Sequence, residues 1–212
     1  YFSKKIEKKY NSVAYTTILE HEGISNNVAV QIFTKNGPLA FLPISDFETS
    51  IVYSINNHLK GEKEVNNLIN TYNSKYTLKK INKINSFELH GLSLRSYFHK
   101  NILAFGDLLH RIHPLAGQGF NMALRDVKEI SHLIESRKKN GLDLDKTICL
   151  EFEKITKHKN YIFSNGIDFV YEYFNFESKI KNNILSKSVK FLGKNNTINK
   201  LFKKYADYGL II

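Results

Sequence analysis

The sequence predicts an α+β chain in which an antiparallel or mixed sheet precedes a helical half. Three observations carry this reading. β-Branched and aromatic runs fill the first third, the apolar period changes to a helical one at Phe120, and helical texture continues from Leu144. The strand candidates are "VAYTTILEHE" (13–22), "NVAVQIFT" (27–34), "GPLAFLPIS" (37–45) and "TSIVYSI" (49–55), separated by the turn-forming "GISN", "KNG" and "SDFE". Alternation places Val28, Val30 and Ile32 on one face and Ala29, Gln31 and Phe33 on the other, as expected for a meander with two usable faces.

"GEKEVNNLINTYNSKY" follows, with Val65, Leu68, Ile69 and Tyr72 at helical spacing. "SFELHGLSL" reads as a further strand, and "NILAFGD" as a short apolar strand ending at Gly106-Asp107. Beyond it, Phe120, Ala123, Leu124, Val127, Ile130 and Ile134 fall on one helical stripe, with Arg125, Asp126, Lys128, Glu129 and Glu135 off it. The expected organisation is a sheet and helix over 1–98, a strand–loop–helix over 99–138 and a helical region over 139–212, without internal repeat or linker.

The 212 residues, 42% hydrophobic and 13% aromatic, suffice for a folded core and exclude wholesale disorder. A single cysteine, Cys149, excludes an internal disulfide framework and fits a reducing, cytoplasmic setting. No run approaches the roughly 20 apolar residues of a membrane span. The opening "YFSKKIEKKYNS" lacks the apolar centre of a secretory leader. The net charge of +11 is spread along the chain without a nucleic-acid motif, so nucleic acid is not an expected partner. Residues 179–204 carry eight lysines and no acid. Ile180, Ile184, Leu185, Val189 and Leu192 there approximate one helical face. Two readings stay open: a terminal helix with solvated lysines, or a basic amphipathic helix on an anionic membrane.

The densest chemistry lies in "GDLLHRIHPLAGQGFNMALRD" (106–126). Asp107, His110 and His113 could ligate a divalent ion, but Pro114 and the glycines oppose a shared helical face and no cysteine assists, so no metal is expected. An anion cradle has more support. The chain leaves an apolar strand at Gly106-Asp107, and Gly117 and Gly119 bracket a helix start whose first amides are unpaired. A plain glycine-rich helix start explains the spacing equally well. The pattern is not the G-x-G-x-x-G of dinucleotide folds.

"FGDLLHRIHPLAGQGFNMALRDV" resembles the second FAD-binding motif of the class A flavoprotein monooxygenases, the p-hydroxybenzoate hydroxylase type. From "HPLAGQG" to "LRDV" it is most similar to the ubiquinone-biosynthesis hydroxylases. "NNVAVQIFTKNGPLAFLPISD" resembles their substrate-domain strands, in the same order. The resemblance implies an α/β flavoprotein fold, of which this chain is the carboxyl-terminal half. The family's amino-terminal βαβ unit, with its Gly-rich turn, and its middle Asp-Gly motif are not in the sequence, and Tyr1 falls just after the latter. It implies that Gly106 and Asp107 meet the ribityl part of FAD, and that Pro114, Gly117, Gln118, Gly119, Phe120 and Asn121 meet the isoalloxazine ring. It further implies NAD(P)H as reductant, O2 as co-substrate, and hydroxylation of the aromatic ring of a polyprenylated ubiquinone precursor.

The implied partners are that polyprenyl-phenol, a membrane surface on the inner face of the cytoplasmic membrane, and other ubiquinone-biosynthesis proteins. Phe33, Leu42 and Pro43 are candidate substrate-lining residues, on strands expected to roof the flavin, although a core role is the simpler expectation for each. No catalytic residue is assigned; His113 is expected to make a structural hydrogen bond. The family usually carries small residues between the Asp and the His; Leu108 and Leu109 here are expected to pack inward. The isolated chain is expected to hold FAD weakly and to be inactive. The alternatives are another flavoprotein of this fold with a different substrate, and a non-catalytic membrane- or partner-binding chain.

Overall fold

The computed structural model describes residues 1–56, 62–180 and 200. The chain folds as two compact units, one of residues 9–89 and one of residues 1–8 with 90–212. Two long strands, β1 (Lys5–His21) and β6 (Asn85–Leu94), run from one unit into the other.

In the unit of residues 9–89, β1 is joined by β2 (Val30–Thr34), β3 (Gly37–Pro43), β4 (Glu48–Asn56), α1 (Glu62–Tyr72) and β5 (Leu78–Ile81). The strand order β2-β3-β4-β1 is antiparallel throughout, the expected meander, and β5 also pairs with β1. β1 begins at Lys5 rather than near residue 13. Its lysine-rich start is largely solvent-exposed, so no apolar alternation marks it. The β2–β3 hairpin turns at Gly37, whose φ is +136°. A Cβ there would lie 2.0 Å from the Ser54 carbonyl oxygen, so only glycine fits.

One face of this sheet is sealed by α1: Val65 and Ile69 pack with Leu19, Leu39, Phe41, Ile51, Tyr53 and Ile55. Two buried polar clusters in this unit are matched by hydrogen bonds. Asn26 Nδ2 donates to the Ser45 carbonyl at 2.8 Å and to Thr49 Oγ1 at 2.9 Å, and Tyr76 Oη donates to Asn26 Oδ1 at 3.0 Å. The Thr34 and Tyr53 hydroxyls bond at 2.8 Å.

The other unit holds β7 (Phe98–His99), β8 (Ile102–Leu103), β9 (His110–Arg111), α2 (Gln118–Lys139) and α3 (Lys146–Ile180). The end of β6 pairs with β9, and β7 with β8. Its core gathers Leu94, Tyr97, Ala104, Leu109, Leu133, Ile148, Cys149 and Phe152. The Asp145 carboxylate accepts the Thr147 amide at 3.0 Å, capping the start of α3. "NILAFGD" is not one strand ending at Gly106-Asp107: only Ile102–Leu103 is paired, as one arm of a hairpin, and Gly106 opens a 3-10 turn.

The stripe expected on α2 is also rotated. Met122, Asp126 and Leu133 are buried, whereas Phe120, Leu124 and Val127 are exposed. The buried face includes a carboxylate because donors meet it there. The basic stretch from residue 181 to 199 and the chain from 201 onward lie outside the described residues, so neither reading of the tail is addressed by the fold. Among the described residues no helix is long and apolar enough to cross a membrane.

Candidate functional site

The predicted residues sit on two short 3-10 turns, Gly106–Leu108 and Leu115–Gly117, and on the start of α2. The first turn packs against α2, which brings the Gly-Asp pair to the same helix as the Gly-Gln-Gly segment. Gly106 has φ +59°, and the Leu109 amide closes the turn on its carbonyl at 2.9 Å. Asp107 is exposed. Leu109 is fully buried and anchors the turn, but Leu108 is 52% exposed. Only one of the two leucines packs inward, since consecutive residues of so tight a turn diverge.

Pro114, with φ −69°, leads into the second turn. Gly117 follows in the left-handed region at φ +63° and directly precedes α2. A Cβ on Gly106 or Gly117 would meet nothing within 4 Å, whereas one on Gly119 would make ordinary contact with Ile112 at 3.9 Å. The first two glycines are therefore required by backbone conformation and leave open space in front of the chain. No side chain caps α2, so its first amides are left for solvent or an anion. Asn121 Nδ2 donates to Gln118 Oε1 at 3.4 Å, and Phe120 is 72% exposed.

Asp107, His110 and His113 diverge, and among the described residues no group of three His, Cys, Asp or Glu side chains gathers as a metal site. His110 is buried with Nε2 2.6 Å from Asp126 Oδ2, and Asn160 Nδ2 donates to Asp126 Oδ1 at 3.0 Å. His113 is fully buried and stacks on Tyr171 with ring centroids 3.9 Å apart. Burial, assisted by the Lys8 charge, pushes its pKa down to about 4. Lys8 lies between Asp168 Oδ2 at 3.1 Å and Glu172 Oε1 at 2.7 Å. Burial alone would lower the Lys8 pKa, but those two carboxylates raise it.

Asp126, Asn160 and Tyr171 were not foreseen. The available signal was Asp126's place on the helix face of Met122 and Leu133, four residues after one and seven before the other. In the unit of residues 9–89, Phe33 and Leu42 are 40% and 38% exposed. Phe33 pairs with Pro38 and Leu42 with Ser50, on the sheet face opposite to Leu39 and Phe41. Pro43 alternates with Phe41 and lies on the α1 side, so it does not join them.

Residues 50–142 match the family described as FAD binding domain. Curated relatives include ubiquinone biosynthesis monooxygenase COQ6, mitochondrial, of Xenopus tropicalis, 26% identical over 215 residues, covering 81% of this chain and 46% of the relative. The protein of the same name from Dictyostelium discoideum is 33% identical over 116 residues, covering 49% of this chain and 23% of the relative. The chain thus spans about half or less of the length of the curated relatives it matches. Among solved structures, p-nitrophenol 4-monooxygenase from Pseudomonas putida aligns over 99% of this chain and 55% of its own, with a TM-score of 0.74 at 11% identity. The aromatic hydroxylase CabE aligns over 96% of this chain and 42% of its own, with a TM-score of 0.66 at 11% identity. These two likenesses establish the fold. The domain match and the curated relatives show that the chain is similar to FAD-binding monooxygenases of ubiquinone biosynthesis.

Proposed function

We propose that the chain forms the part of an FAD-dependent monooxygenase that meets the ribityl and ring portions of the flavin, acting in hydroxylation of a polyprenylated ubiquinone precursor. The observation that carries this reading is the pair of left-handed glycines, Gly106 and Gly117, with open space before each and an uncapped helix start beside them. Those features fit a bulky, anionic group. The exposed Asp107 carboxylate would accept hydrogen bonds from ribityl hydroxyls. Pro114 and Gly117 would set the backbone of the turn that faces the ring, and the amides at Gln118 and Gly119 would stabilise negative charge on it. Phe120, Gln118 and Asn121 would border the ring.

FAD, reduced by NAD(P)H, would supply the oxygen-activating chemistry. The protein's part is to bind, orient and exclude water. The exposed face of Phe33 and Leu42 offers apolar surface for an aromatic substrate. The lysine-rich segment 179–204 suits an anionic bilayer, in which a polyprenylated substrate would reside.

Purification of the product of the complete coding sequence tests the cofactor reading; bound yellow flavin supports it, and a colourless protein that ignores added FAD defeats it. The substrate class is tested by quinone extraction from a deletion strain: accumulation of an under-hydroxylated prenylated phenol is expected, and normal ubiquinone would remove the assignment.

A further inference from the structure

The buried contact between His110 and Asp126 joins residues 16 apart, at 2.6 Å, and every proposed ring-contacting residue lies between them. His110 opens β9 opposite Ser93, and Asp126 lies on the buried face of α2. The intervening chain makes two structural transitions, the 3-10 turn at Leu115–Gly117 and the left-handed step at Gly117. Such a segment has few ladder hydrogen bonds of its own to hold it. Both ends of the contact are nearly inaccessible, at 3% and 2% side-chain exposure. Asn160 occupies the second oxygen of Asp126, which fixes the plane of the carboxylate from α3. A carboxylate oxygen accepts, so Nε2 of His110 carries the hydrogen. Among the described residues Nδ1 of His110 is buried without a partner, so the imidazole's one anchoring bond is that to Asp126.

We propose that His110 and Asp126 are positioning residues: their bond closes 110–126 into a ring and holds Pro114, Gly117, Gln118, Gly119, Phe120 and Asn121 in register for FAD. The inference rests on the flavin reading of that turn. Neither side chain is assigned contact with the cofactor. Their effect passes through the backbone of the turn and the start of α2.

Two substitutions at one site separate positioning from filling space. His110→Gln keeps an N–H at the reach of Nε2, whereas His110→Asn keeps one only at the reach of Nδ1. Asp126→Leu, of similar shape but without an acceptor, reads the same contact from the other end should the His110→Asn chain not fold. Amide hydrogen exchange of the chain, with and without millimolar FAD, is the measurement. Loss of the bond is expected to speed exchange over 112–121 by about tenfold, with α3 and β2–β4 within about twofold of the parent. His110→Gln is expected to stay near the parent, and His110→Asn and Asp126→Leu to show the loss. Equal behaviour of Gln and Asn, or a uniform rise across the unit, would overturn the proposal. If the Gln/Asn split appears but FAD protects no amide in the parent, the positioning role stands and the flavin reading falls. Equal FAD protection of the turn in the parent and in His110→Asn means the reverse.

Discussion

The sheet-and-helix core of residues 9–89 and the turn-to-helix segment of residues 106–127 are built by opposite rules. In the first, Leu19, Leu39, Ile51, Tyr53, Val65 and Ile69 are fully buried, and the Asn26–Thr49 and Thr34–Tyr53 pairs are hydrogen-bonded among them. In the second, Phe120, Leu124 and Val127 are exposed along one side of α2, two glycines face open space, and a helix start goes uncapped. The first region gains its free energy from its own burial. The second keeps donors and apolar surface in hand, which is the form a binding surface takes before its ligand is counted. Stability and binding are therefore separable in this chain, and substitutions should sort by region.

The largest effect is expected at Gly37. Gly37→Ala drives a methyl group against the Ser54 carbonyl, and a loss on the order of 4 kcal/mol, read by denaturant melts, is expected. Stability unchanged to within 1 kcal/mol by that change would break the contrast at its rigid end. Next comes pH. His113 titrates near 4 when folded and near its ordinary 6.5 when unfolded, so between those values the unfolded chain holds more protons. Its neutral burial therefore contributes fully above pH 6.5, and that contribution, on the order of 3 kcal/mol, fades as pH falls toward 4. His113→Phe, which keeps a ring against Tyr171, should flatten the slope between pH 4 and 6.5. An unaltered slope would assign it to groups other than His113.

Smaller still, Gly117→Ala forces a side chain into the left-handed region where space is open, at a cost of about 1 kcal/mol. Its effect on FAD affinity should exceed its effect on stability, a ratio that Gly37→Ala cannot produce. Smallest is Phe120→Ser, which should shift stability by no more than about 0.5 kcal/mol because the ring is already solvated. A melt lowered by several times that amount would mean that Phe120 belongs to the core after all.

The meander, α1 with Val65 and Ile69 inward, and the Gly-rich start of α2 were legible because period and turn chemistry are local signals. What escaped was tertiary. Which side of α2 is buried depends on His110 and Asn160 offering donors to Asp126, and residues 16 and 34 positions apart leave no periodic trace. Apolar spacing set Phe120, Leu124 and Val127 on one stripe with Ile130 and Ile134, and spacing alone does not tell an exposed apolar position from a buried one. The polar start of β1 was missed for the converse reason, since an exposed strand carries no alternation.

In the proposed reading, the turns at 106–108 and 115–117 and the first turn of α2 form the flavin-facing surface of this chain. Chemical-shift mapping of the labelled chain during titration with millimolar FAD tests it directly, and weak binding suffices. Amide shifts are expected to concentrate at Gly106, Asp107 and residues 115–121, with β2–β4 unmoved. Saturating FAD that leaves those amides in place, or that shifts only residues elsewhere, would contradict it.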